Sequence, residues 1–84
     1  MTQYVYVLQS IPNPERHYVG CTDDVADRLR RHNAGLSESQ SRHTSHGGPW
    51  KIVVQVGFED RARAFAFEKY LKSGSGRAFA KRHF

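Results

Sequence analysis

The chain opens on an unbroken β-branched and aromatic run, QYVYVLQ at residues 3–9. Such a run predicts a strand buried on both faces. Pro12, Asn13 and Pro14 end it, because the prolines remove backbone donors and the asparagine favours a turn. His17-Tyr18-Val19-Gly20 then reads as the return strand of a hairpin with a long loop. From Cys21 to Asp24 the pattern starts a helix, with Thr22 or Asp23 as its cap and Asp23 and Asp24 suited to the positive end of the dipole. This helix is expected from about Val25 to Asn33, stopping at Gly35.

Residues 36–48, LSESQSRHTSHGG, are polar and predict a loop with at most one helical turn. After Pro49, the run WKIVVQV at 50–56 is the clearest strand in the chain. Glu59-Asp60 opens a second helix, expected from Arg61 to Lys72 and ending at Ser73-Gly74. Ser75 is the expected cap of a last short helix, Gly76 to about Arg82. The order β-β-α-β-α-α, without repeat or linker, predicts an α+β fold: a small three-stranded antiparallel sheet flanked by helices, in a single domain over 1–84.

Composition narrows the class. At 84 residues the core is modest, since a chain this short buries only roughly 60% of its unfolded surface. A hydrophobic fraction of 38% still supports a globular fold. No stretch approaches the ~20 apolar residues of a membrane span, and no secretory signal is read, so a cytoplasmic protein with no membrane contact is expected. The single cysteine, Cys21, forms neither an internal disulfide nor a metal pair, and is expected to be a small packed side chain near any site. Thirteen Lys and Arg against eight Asp and Glu give a formal charge of +5, which points to nucleic acid or another polyanion as partner.

Helical spacing at ~100° per residue places Val25, Leu29 and His32 on one face of the first helix, with Arg28 beside them. Asp27, Arg30 and Arg31 point elsewhere. An arginine beside a packed face needs a partner, because burying its charge alone is costly. The plainer reading is a snorkelling arginine next to a core-edge histidine, and the residues alone leave both open. On the second helix Ala64, Phe67 and Leu71 form the inner face and Glu68 falls beside it. An exposed Glu68 paired with Lys72 four residues on is the alternative to a buried or ligating one. Asp23, Asp24, Glu59 and Asp60 have posts at helix starts, Glu15 lies in a turn and Glu38 in the polar loop. Glu68 is thus the acid left for chemistry, and one carboxylate suits a single Mg²⁺ held with waters and a substrate phosphate.

Together these residues resemble the GIY-YIG nuclease family, and within it the small stand-alone bacterial branch (UPF0213-like). The two family motifs fall on Tyr4-Val5-Tyr6 and Tyr18-Val19-Gly20, the helical arginine on Arg28, a histidine of some members on His32, and the metal-binding glutamate on Glu68. The resemblance implies metal-dependent hydrolysis of a phosphodiester with Mg²⁺ or Mn²⁺, on DNA ahead of RNA. Tyr6 would be general base or would orient the attacking water, and Tyr18 would hydrogen-bond in the site. Arg28 would stabilise charge on the phosphate, His32 would orient Tyr6 or contact the phosphate, and Glu68 would hold the metal. Two departures stand out. Tyr4 takes the place of the first motif glycine, and the asparagine that many members carry after the glutamate helix has no counterpart here.

Arg28, Arg31, Lys72, Arg77, Lys81 and Arg82 are the candidate nucleic-acid contacts, with a solvated helix face as the alternative for the basic end. His43, Thr44 or His46 of the middle loop are candidates for one further site residue. Trp50 is expected in the core rather than as a base-stacking platform. Low sequence specificity is expected, with a protein partner as one possible source of specificity. A binding module, or one active only with a partner, is the competing reading.

Overall fold

The computed structural model describes residues 2–34 and 48–84. Its elements are β1 (Gln3–Ser10), β2 (His17–Thr22), α1 (Val25–Ala34), β3 (Trp50–Phe58), α2 (Arg61–Leu71) and α3 (Gly74–His83). The three strands form one antiparallel sheet in the order β2-β1-β3, the expected fold. β1 is central, which explains its apolar run: Val5, Tyr6, Val7 and Leu8 are all buried.

Alternation along β1 sorts the core into two clusters. Val5 and Val7 pack with Ala64 and Leu71 of α2, joined by Val19, Phe67 and Phe79. Tyr6 and Leu8 pack with Val25 of α1 and Trp50 of β3, joined by Tyr4, Tyr18 and Leu29. The sheet therefore carries α1 on one face and α2 with α3 on the other. A register shift beside Val7 and Leu8 pairs Val7 with Val54 and Leu8 with Ile52, leaving Val53 as the extra residue. Both Val53 and Val54 consequently meet the α2 side.

Several boundaries differ from the sequence reading. β2 continues through Cys21 and Thr22, because both still pair with β1, at Val5 and Tyr4. Cys21 accordingly packs on the α2 face, away from Tyr6, and accepts a hydrogen bond from Gln3 Nε2 at 3.4 Å. Asp24 caps α1: its carboxylate accepts from Asp27 N at 3.0 Å, while Thr22 Oγ1 accepts from Asp24 N one step earlier. Ser73, not Ser75, caps α3, its hydroxyl oxygen accepting from Gly76 N at 3.1 Å. β3 also runs on to Phe58.

The α2–α3 corner is tight because Ser73 donates to the Tyr70 carbonyl at 2.6 Å and α3 starts at once. Gly76 sits where any Cβ would collide with that same Tyr70 carbonyl, which is why the position has no side chain. At the other end, Asp60 caps α2 as expected, accepting from Ala62 N at 2.9 Å. Asn33 ties the end of α1 to β3, accepting from Trp50 N at 2.6 Å and donating to the Trp50 carbonyl at 3.2 Å. Trp50 lies in the core, 2% exposed.

Candidate active site

The hairpin register sets the site. Tyr6 pairs with Gly20, and Tyr18 pairs with Leu8, so both tyrosine side chains leave the same face of the sheet as diagonal neighbours. Their ring centroids are 6.3 Å apart. Gly20 makes this possible: a Cβ there would lie 2.5 Å from Cζ and the hydroxyl oxygen of Tyr6. The Tyr6 ring thus lies across the bare backbone of the opposite strand. The motif glycine is a packing requirement set by the motif tyrosine. Sequence reading passed over Gly20, although its place in Tyr18-Val19-Gly20 was the available signal.

The stripe Val25, Leu29, His32 brings α1 down on that face. His32 is 1% exposed and its Nε2 lies 2.9 Å from the Tyr6 hydroxyl. The Tyr18 ring packs against it at 4.8 Å. Burial pushes the Tyr6 hydroxyl well above the ordinary tyrosine range; Tyr18 and Glu68 act in the same direction, while Arg28 opposes them by charge and by a hydrogen bond. Burial also raises Tyr18, with Glu68 raising and Arg28 lowering it. His32 is shifted down from 6.5, first by burial and then by the Arg28 charge. Both shifts favour the neutral forms, so the contact joins a phenol to an imidazole, with the donor set by the His32 tautomer.

Glu68 comes from α2, on the opposite side of the sheet, yet its charge acts on both tyrosines. β2 is an edge strand, so the sheet leaves that flank open. The Glu68 carboxylate accepts from Lys72 Nζ at 3.0 Å, and its side chain is 21% exposed. Glu68 is thus paired with Lys72 while its charge acts on both tyrosines.

The candidate contacts divide. Lys72, Arg77 and Lys81 line a groove of about 890 Å³ whose wall includes Tyr18. Arg28 sits with the tyrosines. Arg31 is instead held by Asp27, with Nε 2.8 Å from Oδ2, and Arg30 binds the same carboxylate at 2.7 Å. Those two hydrogen bonds hold the Asp27 carboxyl below its ordinary value. Arg82 is exposed on α3 and is not among the residues lining the groove. His43, Thr44 and His46 lie outside the described residues. Tyr4, at the first motif position, joins the α1-side cluster, with its ring against Gly57. Among the described residues no three His, Cys, Asp or Glu side chains gather as a metal site. None of the described helices is long and apolar enough to cross a membrane.

The fold and the cluster define a small α+β domain whose hairpin-borne tyrosine pair meets a helical arginine and histidine on one side and a glutamate on the other. The model of the GIY-YIG catalytic domain matches residues 2–82, and the chain belongs to the GIY-YIG family. It is 43% identical over 82 residues to the structure-specific endonuclease subunit SLX1 of Candida dubliniensis, covering 94% of this chain and 27% of that protein. It is 38% identical over 66 residues to the SLX1 homolog of Giardia intestinalis, covering 77% of this chain and 18% of that one. The chain thus spans 27% and 18% of the length of these two curated relatives. The solution NMR structure of a UPF0213 protein from Bacillus halodurans superposes with a TM-score of 0.55 at 28% identity, covering 96% of this chain and 81% of that one.

Proposed function

We propose that this chain is a single catalytic domain over 1–84 that hydrolyses phosphodiester bonds in nucleic acid, DNA ahead of RNA, with a divalent cation and little sequence specificity. The observation that carries the proposal is the buried hydrogen bond between Tyr6 and His32 at 2.9 Å, formed beside Tyr18 and under the opposed charges of Arg28 and Glu68. A core alone has no use for this arrangement. Leucine in place of His32 would fill the same kind of space without a polar group to satisfy.

The raised Tyr6 hydroxyl is a poor base if it must first become tyrosinate. The hydrogen bond removes that requirement. With His32 in the tautomer that leaves Nε2 unprotonated, the attacking water gives a proton to the Tyr6 oxygen as Tyr6 gives its own to His32 Nε2; the hydroxide formed attacks phosphorus, the P–O bond to the leaving strand breaks, and the departing alkoxide takes a proton from solvent. His32 is fit for this because it is held neutral. Arg28 balances the charge that develops on the phosphate oxygens, a role in which loss of one donor commonly costs about 10²–10³ in rate. Tyr18 packs against His32 and fixes the ring plane through which the proton leaves.

Glu68 fits a divalent cation. It is a hard oxygen donor at the open flank of the tyrosine pair, and Mg²⁺ accepts one carboxylate with waters and phosphate completing its shell. Bound there, Mg²⁺ or Mn²⁺ would polarise the phosphate and offset the Glu68 charge that raises Tyr6. Lys72, Arg77 and Lys81 are the backbone contacts this reading favours, with Arg28 at the reacting phosphate.

The reading that the chain acts only with a partner has one observation behind it: relatives of this sequence are named as subunits of an endonuclease. End-labelled single-stranded, duplex and branched DNA, incubated with and without Mg²⁺ or Mn²⁺, separates the readings. Metal-dependent cutting by wild type that disappears in both Glu68→Ala and Tyr6→Phe is expected. Equal traces of cutting in all three preparations would defeat the nuclease reading and leave binding or partner dependence.

A further inference from the structure

The groove beside the tyrosines has a chemistry of its own. We infer that it holds an unpaired nucleic-acid strand, with phosphates on Lys72, Arg77 and Lys81 and bases against Phe84 and the apolar floor. The inference rests on the nuclease reading and gives that site its substrate class.

Charge comes first. Lys72, Arg77 and Lys81 line the groove against a single acid, Glu15. Arg77 and Lys81 are one turn apart on α3, so they present their charges along one face. Such a row suits a polyanion whose charges repeat along its length. The floor then chooses among polyanions. Val19, Leu71 and Phe84 line it, and Phe84, 39% exposed, is braced edge-on against Phe79 at 5.5 Å. A duplex hides its base faces inside the stack and would gain nothing from an apolar floor. An unpaired strand presents those faces, and aromatic rings in basic grooves stack on them. An acidic peptide would satisfy the charges but offers Phe84 no flat partner.

Continuity with the cluster comes last. Tyr18 lines the groove and also packs on His32, and Lys72 is ion-paired with Glu68. A strand lying in the groove therefore reaches the candidate reaction centre at its Tyr18 end, with Lys72 at the junction.

The test is binding without turnover. Fluorescein-labelled oligothymidine of about 12 nucleotides, matched to a small single-strand site, is titrated in EDTA across a salt series, beside a duplex of equal length and unlabelled polyglutamate. Arg77→Ala/Lys81→Ala is compared with Arg61→Ala/Arg63→Ala, which removes the same charge from the start of α2. We expect oligothymidine to bind more tightly than duplex. The groove double variant should bind at least ~10-fold more weakly, with its salt slope reduced by about 1.4, or ~0.7 for each lost phosphate contact. The α2 double variant should keep the wild-type slope. Phe84→Ala should weaken binding about 10-fold with no change in slope, since stacking carries no charge. Equal or tighter binding of duplex, or the same loss in both double variants, would overturn the inference. Polyglutamate binding above oligothymidine would assign the groove to an acidic peptide instead. Because nothing is cut in EDTA, absence of hydrolysis elsewhere defeats only the nuclease reading. Cutting that coexists with unaltered binding by the groove variants defeats only this one.

Discussion

Val5 and Val7 of β1 pack onto α2, while Tyr6 and Leu8, interleaved with them in the chain, pack toward α1. The two sides are buried to a similar degree but built differently. The α2 side joins valines, Ala64, Leu71 and phenylalanines, none needing a hydrogen-bond partner. The α1 side buries a tyrosine hydroxyl, a histidine ring and a tryptophan, and each polar atom must be matched. The first arrangement tolerates small shifts, because apolar contacts are non-directional. The second does not, since a buried donor or acceptor that loses its partner carries the full desolvation cost. One side supplies stability; the other spends part of it on fixing a phenol and an imidazole in one geometry.

The contrast breaks most sharply at Leu71. Leu71→Ala should lower folding stability by about 2–5 kcal/mol in urea denaturation, the range for a buried leucine. A loss under about 1 kcal/mol would show that the α2 side is not the stabilising half. Arg28→Ala should behave oppositely: cleavage slows by about 10²–10³ while the urea midpoint moves far less than in Leu71→Ala. A large stability loss in this variant would make Arg28 a structural residue.

Tyr6→Phe tests the polar side directly. The ring stays, but His32 Nε2 loses its buried partner, so about 1–3 kcal/mol should be lost along with cutting. Unchanged stability would mean the hydrogen bond is not an obligatory part of the α1-side core. His32 also gives this side a pH dependence that the other lacks. Its folded value is lowered below 6.5, so its contribution to stability is fully present above that value and is lost as pH falls through the folded one. Melting temperature should fall on acidification, and His32→Gln should flatten that fall. Cutting should weaken over the same window, because a protonated His32 accepts no proton. The smallest expected effect concerns the α2–α3 corner: Ser73→Ala should cost about 1 kcal/mol as a lost cap, and Ser75→Ala close to nothing.

Much of this fold was legible because its elements carry strong local signals. The apolar run of β1, the prolines of the hairpin loop, the Asp60 cap and the period of α1 each point to one structure. The errors cluster at boundaries. Cys21 and Thr22 read as a helix start because Asp23 and Asp24 follow them, but pairing with Val5 and Tyr4 holds them in the strand. Ser75 stands before a glycine and reads as a cap, but Ser73 is better placed because the corner forms on the Tyr70 carbonyl. At Cys21 and Thr22 a long-range strand pairing outweighed a local preference; at Ser73 the competing contact is itself local, three residues back at Tyr70.

The sequence by itself determined the three-stranded sheet, the order of its helices, the inner faces of α1 and α2, and the family motifs at Tyr6, Tyr18, Arg28, His32 and Glu68. Those properties follow from residue type and spacing, which are local. Only the tertiary structure decided that Tyr6 lies over Gly20 and hydrogen-bonds His32. It also placed Glu68 where its charge acts on the tyrosines from the other side of the sheet, and gathered Lys72, Arg77 and Lys81 along one groove. Each of these depends on strand register, on which edge of the sheet stays open, or on the angle at a helix corner. Register and the open edge are set by contacts between residues distant in the chain, such as Tyr6 with Gly20 and with His32, whereas the corner is set by Tyr70, Ser73 and Gly76 only once the two helices pack.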